Sequence, residues 1–140
     1  MSRMRAVLAA VAVVTVAAGC GEPAETTVEK AFRGYHSALV ARDFRTACAY
    51  NSPEATDKLL ASVRTQGIDA ADCEDAFTAI YSEEGAAAAA DGVHNSVQIQ
   101  KVAVDGDTAT IDWSAQLDGE QRPARTTMHR ADGRWLLVVN

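Results

Sequence analysis

The sequence predicts an α+β fold in which a helical N-terminal half packs on a curved four-stranded antiparallel meander. Apolar residues between Val28 and Tyr81 recur three and four apart, the spacing of one helix face. After Asn95 the pattern alternates residue by residue, as a half-buried strand requires. Asp105-Gly106, Asp118-Gly119 and Asp132-Gly133 divide that second half with tight-turn pairs. With 140 residues, 48% of them hydrophobic, 6% aromatic and 23% charged, the chain supplies apolar surface for one core. That excludes a multidomain protein, a disordered polyelectrolyte and a Pro/Gly-rich fibre. Thirteen Lys and Arg stand against 19 Asp and Glu, so the basic surplus that phosphate backbones demand is missing and no nucleic-acid partner is expected.

Gly21-Glu22-Pro23-Ala24-Glu25 reads as linker. Thr26 with Glu29 matches a capping box, and Val28, Phe32, Tyr35 and Leu39 share a face, so a helix is expected over residues 27–41. Asp43 can cap a short turn over residues 44–50. Ser52 and Pro53 suit the N-cap and first position of another helix, whose stripe of Leu59, Leu60 and Val63 ends at Gly67. Asp69 is expected to open a further helix in which Cys73, Ala76, Phe77, Ile80 and Tyr81 form the buried stripe. Residues 85–92, with five consecutive alanines, read either as a frayed helical extension or as a plain connector, and no chemistry is expected there.

In the second half, Val97 and Ile99 keep one phase and Val102 and Val104 the other, which predicts a bulge near Gln100 or Lys101. Ala109, Ile111, Trp113, Ala115 and Leu117 then alternate with polar residues and form the apolar face of the next strand. A third strand is expected over residues 122–131 and a last over residues 134–139. Hairpins joining successive strands make an antiparallel meander with helices over its apolar face.

The N-terminus has the parts of an export signal: Arg3 and Arg5, then an apolar run over residues 6–18 broken by Thr15 alone, then Gly19-Cys20. A permanent span needs about 20 apolar residues, so this run is short for one. Ala17-Ala18-Gly19-Cys20 resembles the lipobox of bacterial lipoproteins, although Ala17 stands where Leu is usual. The resemblance implies residues 1–19 as a lipoprotein signal peptide, Cys20 as the lipidated first mature residue, residues 20–25 as a lipidated tether and residues 26–140 as one domain. Ordinary cleavage after Ala18 is the alternative. Two acyl chains on Cys20 would anchor the protein on the extracytoplasmic face of the cell membrane. Loss of Arg3 and Arg5 would leave the mature part more acidic, and repulsion from anionic headgroups would hold it off the surface.

There are three cysteines, Cys20, Cys48 and Cys73. If lipid consumes Cys20, Cys48 and Cys73 remain as one disulfide pair in an oxidising compartment, contributing roughly 3 kcal/mol. A metal site or catalytic thiol is the competing reading, but neither cysteine has a His or second Cys at ligand spacing.

Tyr35-His36, Ala41-Arg42-Asp43-Phe44 and Ala47-Cys48, with a final strand Asp132-Gly133-Arg134-Trp135-Leu136-Leu137-Val138, resemble the cystatin-like, NTF2-like cone fold. They are similar in particular to small actinobacterial lipoproteins that carry one such domain after a lipobox. The resemblance implies a concave pocket at the open end of the cone. In that fold such pockets host a ligand, an acid–base reaction or only subunit contacts.

An isomerase or dehydratase would need a carboxylate or His in the pocket and a Tyr or second acid at the developing oxyanion. Tyr35, Tyr81, Asp112 and His129 are the candidates. Strand phasing puts Asp112 on the wet face, His129 sits as a solvated or edge residue, and no two of His36, His94 and His129 share metal-ligand spacing. Phosphate loops, nucleophile elbows and calcium loops are absent from the sequence. Asp69, Asp72, Glu74, Asp75, Glu83 and Glu84 read as a helix-start preference and a solvated face. The expectation is therefore a non-catalytic envelope module without cofactor or metal. Its pocket candidates are Tyr35, Trp113 and His129, and its partner is a small apolar ligand, a cell-wall component, another envelope protein or a second copy in a homodimer. An isomerase or hydratase in the same pocket is the alternative.

Overall fold

A computed structural model describes residues 21–138. The expected signal segment and Cys20 lie outside the described residues. Five helices precede four strands: α1 (Ala24–Val40), α2 (Phe44–Ala49), α3 (Pro53–Thr65), α4 (Cys73–Tyr81), α5 (Glu84–Asn95), β1 (Gln98–Asp105), β2 (Thr108–Leu117), β3 (Glu120–Ala131) and β4 (Arg134–Val138). The strands pair in chain order β1-β2-β3-β4, all antiparallel, which is the expected α+β meander. The register slips between Ile99 and Lys101, where the change of apolar phase predicts a bulge, and the extra residue curves the first hairpin.

Val28 and Phe32 of α1 are sealed against Ala109, Ile111, Met128 and Trp135 of the sheet. Each large apolar side chain buried there stabilises by about 1.5–3 kcal/mol. A second cluster, with Ala38, Leu39, Ala47, Cys73 and Phe77, joins α1 to α2 and α4. Cys48 and Cys73 are bonded inside it, their Cα atoms 5.9 Å apart. A third cluster of Val63, Ala70 and Ala76 seats α3 on α4.

Five local expectations are corrected. The helix begins at Ala24 rather than Thr27, so the linker ends at Pro23: the Pro23 carbonyl accepts from the amides of Thr26 and Thr27, and no side chain caps the helix. The capping box of Thr26 and Glu29 fails because the earlier start places Thr26 inside the first turn and Glu29 pairs with Arg33; the neighbouring Thr27 hydroxyl accepts from Trp135 Nε1 at 3.1 Å. The helix expected from Asp69 starts at Cys73, with Asp72 as N-cap accepting from the amide of Asp75 at 2.9 Å. Of the two alternatives for residues 85–92, the plain connector is excluded and the helical one is nearer, but residues 84–95 form a regular helix of their own rather than a frayed extension. On β2 the apolar phase ends early: Ser114 is buried and Leu117 is 41% exposed, because Ser114 is held by the side-chain amides of Gln100 and Gln121.

Candidate functional site

Two neighbouring residues of α1, Tyr35 and His36, line different depressions. His36 is buried, with its ring 4.4 Å from Phe32, 5.3 Å from Tyr35, 5.4 Å from Trp113 and 4.8 Å from His94, centre to centre. Its Nδ1 lies 2.6 Å from Nδ1 of His94 on α5. That contact requires one imidazole to carry its proton on Nδ1 while the other leaves Nδ1 free; two imidazoliums would present donor to donor. Burial first, then His94 and Arg33, push the His36 pKa down to about 3. Burial likewise lowers His94, against an upward pull from Asp91. The pair borders a depression of about 350 Å³ with Arg33, Ser37, Asn95 and Val97 on its wall.

One turn further, α1 ends in a Schellman arrangement in which the amide of Asp43 bonds to the carbonyl of Ala38 and that of Arg42 to Leu39. Arg42 takes the left-handed position, φ 62°, where glycine is usual. Its guanidinium crosses to α5 and grips Asp91 through two bonds of 2.7 and 2.8 Å, and it lies 4.3 Å from the Tyr81 ring centre. The hydrogen bond from Arg42 holds the Asp91 carboxyl below the usual carboxylate range. Burial raises the Tyr81 phenol, whose hydroxyl is enclosed without a hydrogen-bond partner among the described residues.

Tyr35 borders a second cavity of about 460 Å³ between α1, α3, α4 and the β3–β4 end of the sheet. Leu59, Phe77 and Leu137 give it apolar walls, while Asn51, Lys58, Ser62 and Arg125 supply polar ends. Burial, with Tyr81 behind it, pushes the Tyr35 phenol up to about 12, so it stays a neutral donor. The other two pocket candidates fall elsewhere. Trp113 packs edge-on against Phe32 and His36 and borders a shallow depression with Gln100 and Arg125. His129 is exposed and faces the start of α3, near Ser52 and Pro53. Tyr35, Trp113 and His129 therefore do not line one cavity. The register places Asp112 opposite Arg125 at the polar phase of β2, and their side chains pair at 2.6 Å.

Sequence spacing misses the His36–His94 contact, which spans 58 residues, and the Arg42–Asp91 bond, which spans 49. Asp91 falls in the stretch expected to carry no chemistry, and His94 lies two residues beyond it. The one local clue is Arg42 itself, a long polar residue directly after the apolar stripe of α1, where a helix exit favours glycine. No group of three or more metal-ligating side chains occurs among the described residues.

No family model matches the chain, and no curated protein matches its sequence. Solved structures do. An NTF2-like candidate transpeptidase from Campylobacter jejuni aligns with a TM-score of 0.49 and 16% identity over 80% of this chain and 97% of that one. An NTF2-like protein of unknown function from Burkholderia xenovorans gives 0.43 and 14% over 80% and 79%. A de novo designed protein with a curved β-sheet gives 0.47 and 12% over 81% and 82%.

Proposed function

We propose that the chain is a non-catalytic binding module of NTF2-like build, anchored through lipid on Cys20 at the extracytoplasmic face of the cell membrane. Its Tyr35 cavity takes a small molecule with an apolar body and an anionic end. The supporting observation is the lining: Leu59, Phe77 and Leu137 beside Lys58 and Arg125, with no carboxylate among the described lining residues of a chain richer in acids than bases. Arg125 is shared with Asp112, which leaves Lys58 as the principal cation for a ligand. About 460 Å³ suits a drug-sized or short-chain ligand.

Calorimetric titration with dodecanoate tests the cavity, and intact mass of protein extracted from membranes tests the anchor. Saturable binding weakened about tenfold by Lys58→Glu, which corresponds to roughly 1.4 kcal/mol, is expected. Absence of saturation, or equal affinity in the variant, overturns the ligand class; a Cys20 without a diacylglyceryl adduct overturns the address. A second reading, a small isomerase or hydratase, is favoured by the His36–His94 pair beside its own depression. Turnover of a carbonyl substrate abolished by His36→Gln would mark it.

A further inference from the structure

Helix α5 is attached in an unusual way. None of its residues is fully buried, and its body is alanine interrupted by Gly85 and Gly92, so neither apolar anchoring nor intrinsic propensity fixes it strongly. Three polar attachments fasten it instead. His94 meets His36, Asp91 meets Arg42, and Ser96, at its C-terminal cap, accepts from the amide of Gln116 at 2.7 Å. On its inner side lies an aromatic group of Phe32, Tyr35, His36 and Trp113.

We propose that α5 is an acid-released lid: the neutral imidazole pair latches it to α1, and protonation of that pair opens the helix to expose the aromatic group beneath. A first proton leaves a charge in a desolvated place, and a second leaves two donors face to face. From α1 the pair faces Arg33, itself bonded to Glu29 at 2.8 Å, and the neutral Tyr35, behind which stands Tyr81 of α4; from the α1–α2 turn, Arg42; from α5, Asp91. Val97, just before β1, and Trp113 of β2 bring no charge. Among the described residues, the carboxylate that acts on the pair is that of Asp91, which is committed to Arg42 and so offers limited compensation to an imidazolium.

Both histidines titrate lower in the closed form than the ordinary 6.5, so the closed form binds fewer protons than the open one. Closure is therefore favoured above that value and lost as pH falls below it, the opening equilibrium rising up to tenfold per pH unit for each proton taken up. Asp91 keeps its bond to Arg42 through this window, because its own titration is displaced to lower pH. The C-terminal half of α5 thus opens first, around the Arg42 attachment.

Hydrogen exchange of the full chain between pH 7 and pH 5, corrected for intrinsic rates, tests the proposal. Residues 84–96 are expected to lose at least tenfold protection while β2 and β3 keep theirs, and the double variant His36→Gln/His94→Gln, neither of whose new side chains can charge, is expected to reduce that loss below threefold. Unchanged protection of α5, the same loss in the variant, or a loss shared with the sheet overturns the lid. Should the variant fail to fold, the ring resonances of His36 and His94 in the unaltered protein decide: both must titrate in the pH range where α5 opens, and titration with α5 still protected refutes the latch.

Discussion

The two ends of α1 are secured by opposite means. Near its start, Val28 and Phe32 are wholly enclosed by Ala109, Ile111, Met128 and Trp135, a contact made almost entirely of apolar area. Near its end, the connection to α5 consists of a histidine pair and an arginine clasp around a helix with no fully buried residue. Apolar burial is indifferent to protons and tolerant of small shifts, whereas paired polar groups depend on protonation state and geometry. One helix can therefore serve both as the spine of a stable core and as the fixed jaw of a weaker contact. The difference predicts global effects from one end and local effects from the other.

Phe32→Ala should cause the largest change, destabilising by about 3–5 kcal/mol in denaturant titration, because its cavity is enclosed by sheet and helix together. A loss below about 1 kcal/mol would break the contrast at its strong end. Replacing both Cys48 and Cys73 by serine should lower the unfolding free energy by about 3 kcal/mol, since the bond closes a 25-residue separation within the helical half. No change would mean that the second cluster holds α2 to α4 unaided. Arg42→Gly should have the smallest global effect: it relieves the left-handed backbone while releasing Asp91. Its signature is several-fold faster exchange confined to Glu84–Asn95, and an equally large change in β2 would show that the two ends are not separable.

Much of the architecture is legible in the residues because it follows from short-range rules. Alternation from Ala109, the Asp-Gly turns and the phase change around Gln100 dictate strands, hairpins and bulge without reference to anything distant. The pairing of Cys48 with Cys73 follows from counting thiols, given a fate for Cys20. Where several local start signals compete, spacing alone does not choose between them: the helix opens at Ala24 and leaves Thr26 and Glu29 inside it, and Asp72 caps α4 in place of Asp69. The imidazole pair is illegible for a different reason. Its partners sit 58 residues apart, and the helix that delivers one of them has a composition shared with any flexible connector. The helical stripe that contains Tyr35 does not distinguish a core residue from a cavity wall, and Trp113, which shares the apolar phase of β2, is taken up by Phe32 and His36.

The bond from Trp135 to Thr27 spans 108 residues and ties the opening turn of α1 to the final strand. A polypeptide emerging N-terminus first cannot complete its principal core until that tryptophan is out, so every earlier length of chain is left without its closing piece. Acquisition of the native state is thereby deferred to the end of synthesis or passage, and a chain cut short before residue 135 should be an efficient target for proteolysis.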